Sequence, residues 1–299
     1  MESRNNICQE KNKENESAKP NHIMDNLKSD YFLQKLYDNM RKKKKLEIVK
    51  CNKKIQNRLK ISIKDYKEYS ETFSSIEIEI IPAKGECGYF INVNENDKSY
   101  YHIYFNDAKE EIKNKYEISE EDELKKIKII IDYQVKSFKR LFKLCECIES
   151  ITFKNFYRNN ITDMSSMFEF CSSLKELNLS NFNTSNVTSM YRMFYGCSSL
   201  KELNLTSFNT NNVTDMNNMF SECSSLKELN LTNFNTNNVT NMGCMFSFCS
   251  SLKELNLTNF NTNNVHDMYG MFFDCPDDLK RKIELENKNF EYEAFIDYL

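Results

Sequence analysis

Glycine and long apolar runs are scarce in this sequence, and each scarcity disfavours a class of function. The five glycines form no glycine-rich loop of the kind that cradles phosphate groups. The longest apolar segments, such as residues 127–131, are far shorter than the roughly 20 residues that a membrane helix requires. We therefore expect neither a phosphate-binding loop nor a membrane-spanning segment.

Groups typical of catalytic and metal sites are also few. The three histidines, His22, His102 and His266, have no cysteine or carboxylate at a recognisable catalytic spacing. Cys145 and Cys147 offer two sulfur atoms, whereas a structural zinc site needs four ligands. We therefore expect a protein that is not an enzyme and that has neither a cofactor nor a metal.

Charge of one sign is not in excess either. The formal net charge of -3 gives no overall field that would attract nucleic acid or an anionic membrane. The first 17 residues are polar where a secretory signal has an apolar stretch of roughly 7–15 residues. These features disfavour a nucleic-acid partner and predict a cytoplasmic location.

What the sequence does have is a 26-residue repeat. Its cysteines recur in one column, at Cys171, Cys197, Cys223, Cys249 and Cys275. Self-similarity at a fixed period of this length is the mark of a solenoid, because each repeat buries its apolar face only against its neighbours. We expect the column cysteines to be buried free thiols, since parallel side chains on stacked repeats disfavour the torsion of a disulfide.

Each repeat divides into two apolar patterns. Leu174, Leu177 and Leu179 fall at the spacing LxxLxL, which predicts a short strand whose leucines point inward. Met190 and Cys197 belong to a second set whose members are three and four residues apart, which predicts a short helix. The fold class is therefore α/β, a solenoid of short parallel strands and short helices.

The remaining segments predict a small α+β module before the solenoid and a helical cap after it. Residues 76–83, 89–93 and 100–105 are expected to be strands, with a hairpin connection at 94–98. The predicted domains are a disordered tail at 1–25, a helical segment at 26–70, an α+β module with N-terminal cap at 71–141, the solenoid at 142–275 and the C-terminal helical cap at 276–299.

Two surfaces are candidates for binding a partner. The strand face presents identical outward columns, Glu176, Glu202, Glu228 and Glu254 beside Asn178, Asn204, Asn230 and Asn256. These columns either stabilise the stack or meet a repetitive partner. The other side varies between repeats and carries residues of the types that anchor protein interfaces, Tyr191, Arg192, Tyr195, Phe248, Tyr269 and Phe273. These residues either form a surface that binds a partner or reflect unconstrained sequence variation at solvent-exposed positions.

The motif SLKELNLTNFNTNNVTDMxxMFxxC, over residues 142–275, resembles the BspA-type leucine-rich repeat family of bacteria and microbial eukaryotes. That resemblance implies a leucine-rich-repeat solenoid and a scaffold for protein–protein interaction, with a role in adhesion or recognition and a possible surface location. The resemblance supplies no catalytic residues.

Two alternative functions remain open. Residues 33–59 resemble the helical adaptor segment that precedes the repeats in F-box proteins, which implies an intracellular adaptor whose repeats select a client. The basic run at 41–54 is typical either of a contact with nucleic acid or an anionic membrane, or of the solvated face of a helix.

Overall fold

The computed structural model of this chain describes residues 28–38, 40, 45, 52–60, 74–287 and 289–296. They form two compact units that divide after Phe73. The tail expected at 1–25 lies outside the described residues.

The described residues of the N-terminal unit include two helices, α1 over Asp30–Asp38 and α2 over Lys53–Arg58. Leu33 of α1 and Ile55 of α2 are completely buried and belong to one apolar cluster. Asn52 caps α2, where its side chain accepts a hydrogen bond from the Ile55 N–H at 3.0 Å. Burial of one apolar face of each helix therefore holds this unit together.

The unit Ser74–Leu299 is built on short strands. They are β1 (Ile76–Pro82), β2 (Gly88–Tyr89), β3 (Tyr101–Phe105), β4 (Glu117–Ile118), β5 (Ile127–Ile131), β6 (Ile148–Asn155), β7 (Glu176–Asn178), β8 (Glu228–Asn230) and β9 (Glu254–Asn256). One sheet has the order β3-β5-β1-β6-β7, and its β6–β7 pair is parallel. Ile151 of β6 lies opposite Ile80 of β1 and beside Leu177 of β7. The strands of the N-terminal module therefore continue directly into those of the repeats.

The hairpin expected from residues 89–105 is not formed. Only Tyr89 of the predicted strand 89–93 joins a ladder, in β2, which pairs with β4. Residues Glu95–Tyr100 form a 3₁₀ helix, and β3 pairs with β5 instead. The alternation of apolar residues identified β3 as a strand, but it contains no information about which strand lies beside it.

The side of each repeat opposite the strand, the turn side, consists of tight turns. The short helices predicted for this side are absent from the repeats that the structure describes. The Met193 N–H donates to the Met190 carbonyl three residues back, whereas the Phe194 N–H donates to Met219 of the next repeat at 2.9 Å. Arg192 and Gly196 have φ angles of 52° and 72°, in the left-handed region that ends a helix. Because alternate amides donate to the next repeat, the i→i−4 bonds of a helix cannot form. The three- and four-residue spacing marks the inward side chains of successive turns.

The repeats stack in register, each displaced by 26 residues. Parallel bridges join equivalent positions of successive repeats, Ser137, Asp163, Ser189, Asp215, Asn241 and Asp267. Hydrogen bonds between alternate turn residues accompany these bridges along the same side. This turn side is therefore a continuous ladder of main-chain hydrogen bonds.

The interior of the stack is a set of apolar columns. Six completely buried rings stack at centroid distances of 5.5–5.7 Å, those of Phe142, Phe168, Phe194, Phe220, Phe246 and Phe272. Met190 is completely buried and Leu177 is nearly so, as their spacing predicted. The five column cysteines are buried free thiols, and the Sγ of Cys197 donates to the Phe168 carbonyl at 3.2 Å.

Repeated polar residues also stabilise the stack. The buried Oγ1 of Thr210 donates to the Asn235 carbonyl at 2.9 Å and accepts from the Asn235 N–H at 2.8 Å. The Nδ2 of Asn212 donates to the Ser185 carbonyl of the preceding repeat at 2.7 Å. The same bonds recur at the equivalent threonines and asparagines of neighbouring repeats. Their recurrence in the sequence thus has a structural cause.

The strand side is less regular than the turn side. In the repeat between β7 and β8, Glu202, Leu203 and Asn204 donate and accept no main-chain hydrogen bond within the described chain. β8 and β9 consequently form a separate parallel pair. The rings of Phe208 and Phe234 beside this break are 6.4 Å apart, more than the spacing on the turn side. The strand side therefore opens slightly at this repeat.

The C-terminal segment closes the stack after the last repeat. Helix α3 spans Asp277–Glu286 and buries Leu279 and Ile283. A 3₁₀ helix follows at Tyr292–Phe295, where the Ala294 carbonyl accepts from the Phe272 N–H. The Phe295 ring stacks on Phe272 at 5.1 Å, and so it takes the next place in the phenylalanine column.

Candidate protein-binding surfaces

The strand face presents its glutamate and asparagine columns to solvent. In each of β7, β8 and β9 the central leucine points inward and the flanking Glu and Asn are exposed. Glu228 lies directly beside Glu254, and Asn230 beside Asn256. The eight strand-face residues expected from the sequence therefore lie on one surface.

In the asparagines of this face, the side-chain oxygen Oδ1 bonds within the chain and the amide nitrogen Nδ2 is available to a partner. The Oδ1 of Asn204 accepts hydrogen bonds from the N–H and the hydroxyl of Thr206, at 3.0 Å and 2.7 Å. Asn230 and Asn256 make the same bonds to the threonines two residues later. Their Nδ2 groups make no hydrogen bond within the described residues. Asn230 and Asn256 thus end their strands, and all three asparagines still offer two N–H donors to a partner.

A groove of about 630 Å³ lies on the C-terminal half of the strand face. Its charged lining consists of Glu202, Glu228, Glu254, Lys282 and Glu286. The ammonium of Lys282 pairs with Glu254 at 3.0 Å, and the other three carboxylates form no ion pair with a described residue. Four carboxylates against one ammonium leave the groove with an excess of three negative charges.

Sequence reasoning missed the end wall of this groove. Lys282 and Glu286 belong to α3, outside the repeat, so no column of the repeat predicts where they lie. The sequence predicted only a helical cap at 276–299. The outer face of that helix could be located only once the helix was seen to follow the last repeat.

The N-terminal half of the strand face has balanced charge. A second groove of about 580 Å³ contains Lys175, Glu176, Lys201 and Glu202 among its lining residues. Lys175 also pairs with Glu149 at 3.0 Å. The two halves of one face therefore differ in electrostatic character although the repeats are nearly identical.

The turn side brings three of the predicted residues into one intramolecular cluster. The Arg192 guanidinium lies 5.1 Å from the ring centroids of both Tyr191 and Tyr195. Arg192 is also 3.8 Å from the buried carboxylate of Glu169. The Tyr195 hydroxyl donates to Glu222 at 2.6 Å, and burial together with this hydrogen bond raises the pKa of Tyr195 to about 12. These side chains are positioned by contacts within the chain.

Of the other three predicted turn-side residues, which lie nearer the C-terminus, Phe248 and Tyr269 are exposed and Phe273 is partly buried. Phe248 is 41% exposed and meets Phe273 edge to face at 4.9 Å. Tyr269 is 37% exposed. Phe248 has a φ of 58°, which an L-residue adopts at some cost in energy. Phe248 and Tyr269 are therefore the predicted turn-side residues with the most exposed aromatic rings.

The histidines differ in their surroundings. His102 lies between two carboxylates, with Nδ1 3.2 Å from Glu111 and Nε2 3.5 Å from Asp132. His266 is exposed, and His22 lies outside the described residues. No group of three or more histidine, cysteine or carboxylate side chains in the described ranges has a metal-binding arrangement.

Most of the basic run at 41–54 lies outside the described residues. Lys45 donates to the Asp38 carbonyl at 3.0 Å and lies over the Tyr37 ring at 5.1 Å. Lys53 and Lys54 are exposed in α2. Every helix in the portion described here is too short or too polar to cross a membrane.

Comparison with known proteins identifies the repeat region. The family described as "Mycoplasma protein of unknown function, DUF285" matches residues 136–229 and 199–291, which together span more than half of the chain. Comparison with curated proteins gave no match. Among solved structures, the chain is similar to a leucine-rich repeat protein from Bacteroides ovatus ATCC 8483, with 23% identity and a TM-score of 0.31. That similarity covers 54% of this chain and 38% of the Bacteroides protein, so this chain spans less than half of that protein's length.

Proposed function

This chain belongs to the DUF285 family, and we propose that it is a non-catalytic leucine-rich-repeat solenoid of the BspA type that binds another protein through its strand face. The open groove of about 630 Å³ over the C-terminal repeats is the observation that carries this proposal. Stacked repeats hold its glutamates and asparagines in fixed columns, so the surface is already arranged before a partner arrives.

The form of the groove favours a macromolecule over a small ligand. A small-molecule site brings a few unlike polar groups together in a concavity. Here the same two side chains recur at each step of the stack, as in the Glu228–Glu254 and Asn230–Asn256 pairs. Repetition along a line suits a polypeptide that crosses several repeats, because each step offers it an equivalent contact.

Site-specific photo-crosslinking in the source cells tests the proposal. A photoreactive amino acid is placed at Asn204 or Asn230 on the strand face, and at Ser250 or Asn263 as exposed positions that do not line the groove. We expect one protein partner to be captured from both strand-face positions and from neither control.

Other labelling patterns have definite meanings. If the partner is captured only when the photoreactive amino acid is at Phe248 or Tyr269, the binding site lies on the turn side, where both side chains are exposed. Equal capture at all positions, or none from the strand face, contradicts the proposal. The proposal includes the cytoplasmic location expected from the sequence, and fractionation of cells that produce the tagged protein tests it.

A further inference from the structure

The charged groups of the acidic groove are arranged asymmetrically. Glu202, Glu228 and Glu286 line it without forming an ion pair with a described residue. The lysine column of the same repeats, Lys201, Lys227 and Lys253, is exposed beside the groove and lines no part of it. None of these lysines forms an ion pair within the described residues. The groove is therefore an acidic strip with a separate basic rim.

Hydrogen-bond donors lie in the same strip. Asn204, Asn230 and Asn256 line the groove from successive repeats, and because their Oδ1 atoms are occupied by the local turns, their Nδ2 groups are the donors left for a ligand. A ligand for this surface therefore needs carbonyl acceptors as well as positive charges. A polypeptide main chain with lysine or arginine side chains supplies both.

The dimensions limit the conformation of that segment. Paired strands are about 4.8 Å apart, which is the step from Glu228 to Glu254 along the stack, and Glu202 lies in the repeat before them, where the ladder is broken. Alternate side chains of an extended chain are about 6.8 Å apart, so three of them on one face span about 14 Å. That length exceeds one step of the stack, so the segment crosses adjacent repeats of the groove.

We infer that the acidic groove binds an extended segment of the partner protein that has two or three basic side chains on one face. This inference rests on the proposed function and specifies the partner's chemistry. The carboxylates pair with the basic side chains, and the asparagine amides donate to the main-chain carbonyls of the segment. Nucleic acid is the wrong occupant for this groove, because its phosphates would meet unpaired carboxylates.

Binding of a labelled octalysine peptide to the full chain, measured by fluorescence anisotropy, tests the inference. The variant E202Q/E228Q/E286Q removes the three unpaired carboxylates of the groove. The matched variant E120Q/E121Q/E123Q changes the net charge equally at exposed positions of a loop elsewhere. We expect the groove variant to weaken binding at least tenfold and the loop variant less than twofold.

Two further arms complete the test. Raising the salt from low to physiological concentration should weaken binding of the unmodified chain, because the pairs are exposed to solvent. The variant K201Q/K227Q/K253Q removes the basic rim, and we expect it to bind octalysine as tightly as the unmodified chain or more tightly.

The outcomes separate the two proposals. Equal weakening by the groove and loop variants shows attraction to the net charge alone and overturns the inference. Absence of octalysine binding at low salt, with circular dichroism confirming a folded chain, also overturns it. If photo-crosslinks from Asn204 and Asn230 persist in either case, the strand face still binds protein and only its partner's chemistry was wrong. Loss of those crosslinks contradicts the proposed function itself.

Discussion

The buried threonine ladder gives the sharpest test of how the repeats are held together. Replacing Thr210 by Val preserves the shape of the side chain but removes the hydroxyl, which makes two hydrogen bonds to Asn235 of the next repeat. The Asn235 N–H and carbonyl then lose their partner at a position where Thr210 is 1% exposed. An unsatisfied buried group costs about 1–3 kcal/mol, so we expect T210V to lower the free energy of unfolding by about 2–4 kcal/mol.

A matched control lies four residues away in the same repeat. Thr214 is exposed, and its hydroxyl makes one hydrogen bond of 3.2 Å to the Thr188 carbonyl. Water can replace that bond, so T214V should cost less than about 1 kcal/mol. Urea unfolding followed by far-UV circular dichroism measures both variants.

The equivalent threonines of other repeats allow the same substitution to be compared at several positions along the stack. Thr184 and Thr236 make the same pair of bonds as Thr210, so their valine variants should be destabilised to a similar extent. Thr262 makes one hydrogen bond of this kind within the described residues, to the Asn289 carbonyl at 2.7 Å, and its variant should cost roughly half as much. If T210V and T214V differ by less than about 0.5 kcal/mol, the ladder does not stabilise the stack as argued.

Three other predictions concern single positions. Gly196→Ala should strongly destabilise the protein in a thermal melt, because Gly196 has a φ of +72° and an added Cβ would lie 2.4 Å from a phenylalanine ring carbon. The control Gly85→Ala should cost only about 1 kcal/mol, because Gly85 has a similar φ of +80° but open space around it. A thiol reagent should label the exposed Cys87 in the native protein but Cys197 only after unfolding, because Cys197 is buried and burial raises the pKa of its thiol. Mass spectrometry locates the labelled cysteines, and rapid labelling of Cys197 in the native protein would contradict this prediction. The difference in ultraviolet absorption between the unmodified chain and Tyr195→Phe should show ionisation of the Tyr195 phenol near pH 12, because the folded state raises the pKa of this group. The raised pKa stabilises the fold below the unfolded pKa of about 10, and this stabilisation is lost as the pH rises through about 12. Ionisation near pH 10 would refute the hydrogen bond from Tyr195 to the Glu222 carboxylate.

The inward positions of the repeat were predictable because they depend on local spacing. Leu177, Met190 and Cys197 are buried as the pattern predicted. A side chain that recurs at a fixed place in stacked repeats has the same neighbours in each of them. The sequence period therefore predicts the core column by column.

The turn side was predicted wrongly because two structures share one spacing. Residues three and four apart lie on one stripe of a helix, but they also lie inward at successive tight turns. The two differ in main-chain hydrogen bonding, and here the Phe194 N–H bonds to a residue 25 positions later. No local pattern contains that information.

The candidate surface was likewise only partly predictable. The alternation in β8 and β9 identified which glutamates and asparagines face outward. Whether the adjacent lysine column neutralises those glutamates depended on distances between side chains, and the structure shows ion pairs at Lys175 and Lys282 rather than along the column. The charge of the groove is therefore a property of the assembled face.

By itself the sequence determined the 26-residue period, the inward columns and the outward composition of the strand face, because burial of apolar groups acts on a pattern within each repeat. Only the tertiary structure decided that the opposite side is built from left-handed turns, that the ladder breaks at Glu202–Asn204, and that α3 supplies the end wall of the acidic groove. These features arise from hydrogen bonds and charge contacts between residues that are distant in the chain, and such contacts exist only after the repeats have stacked.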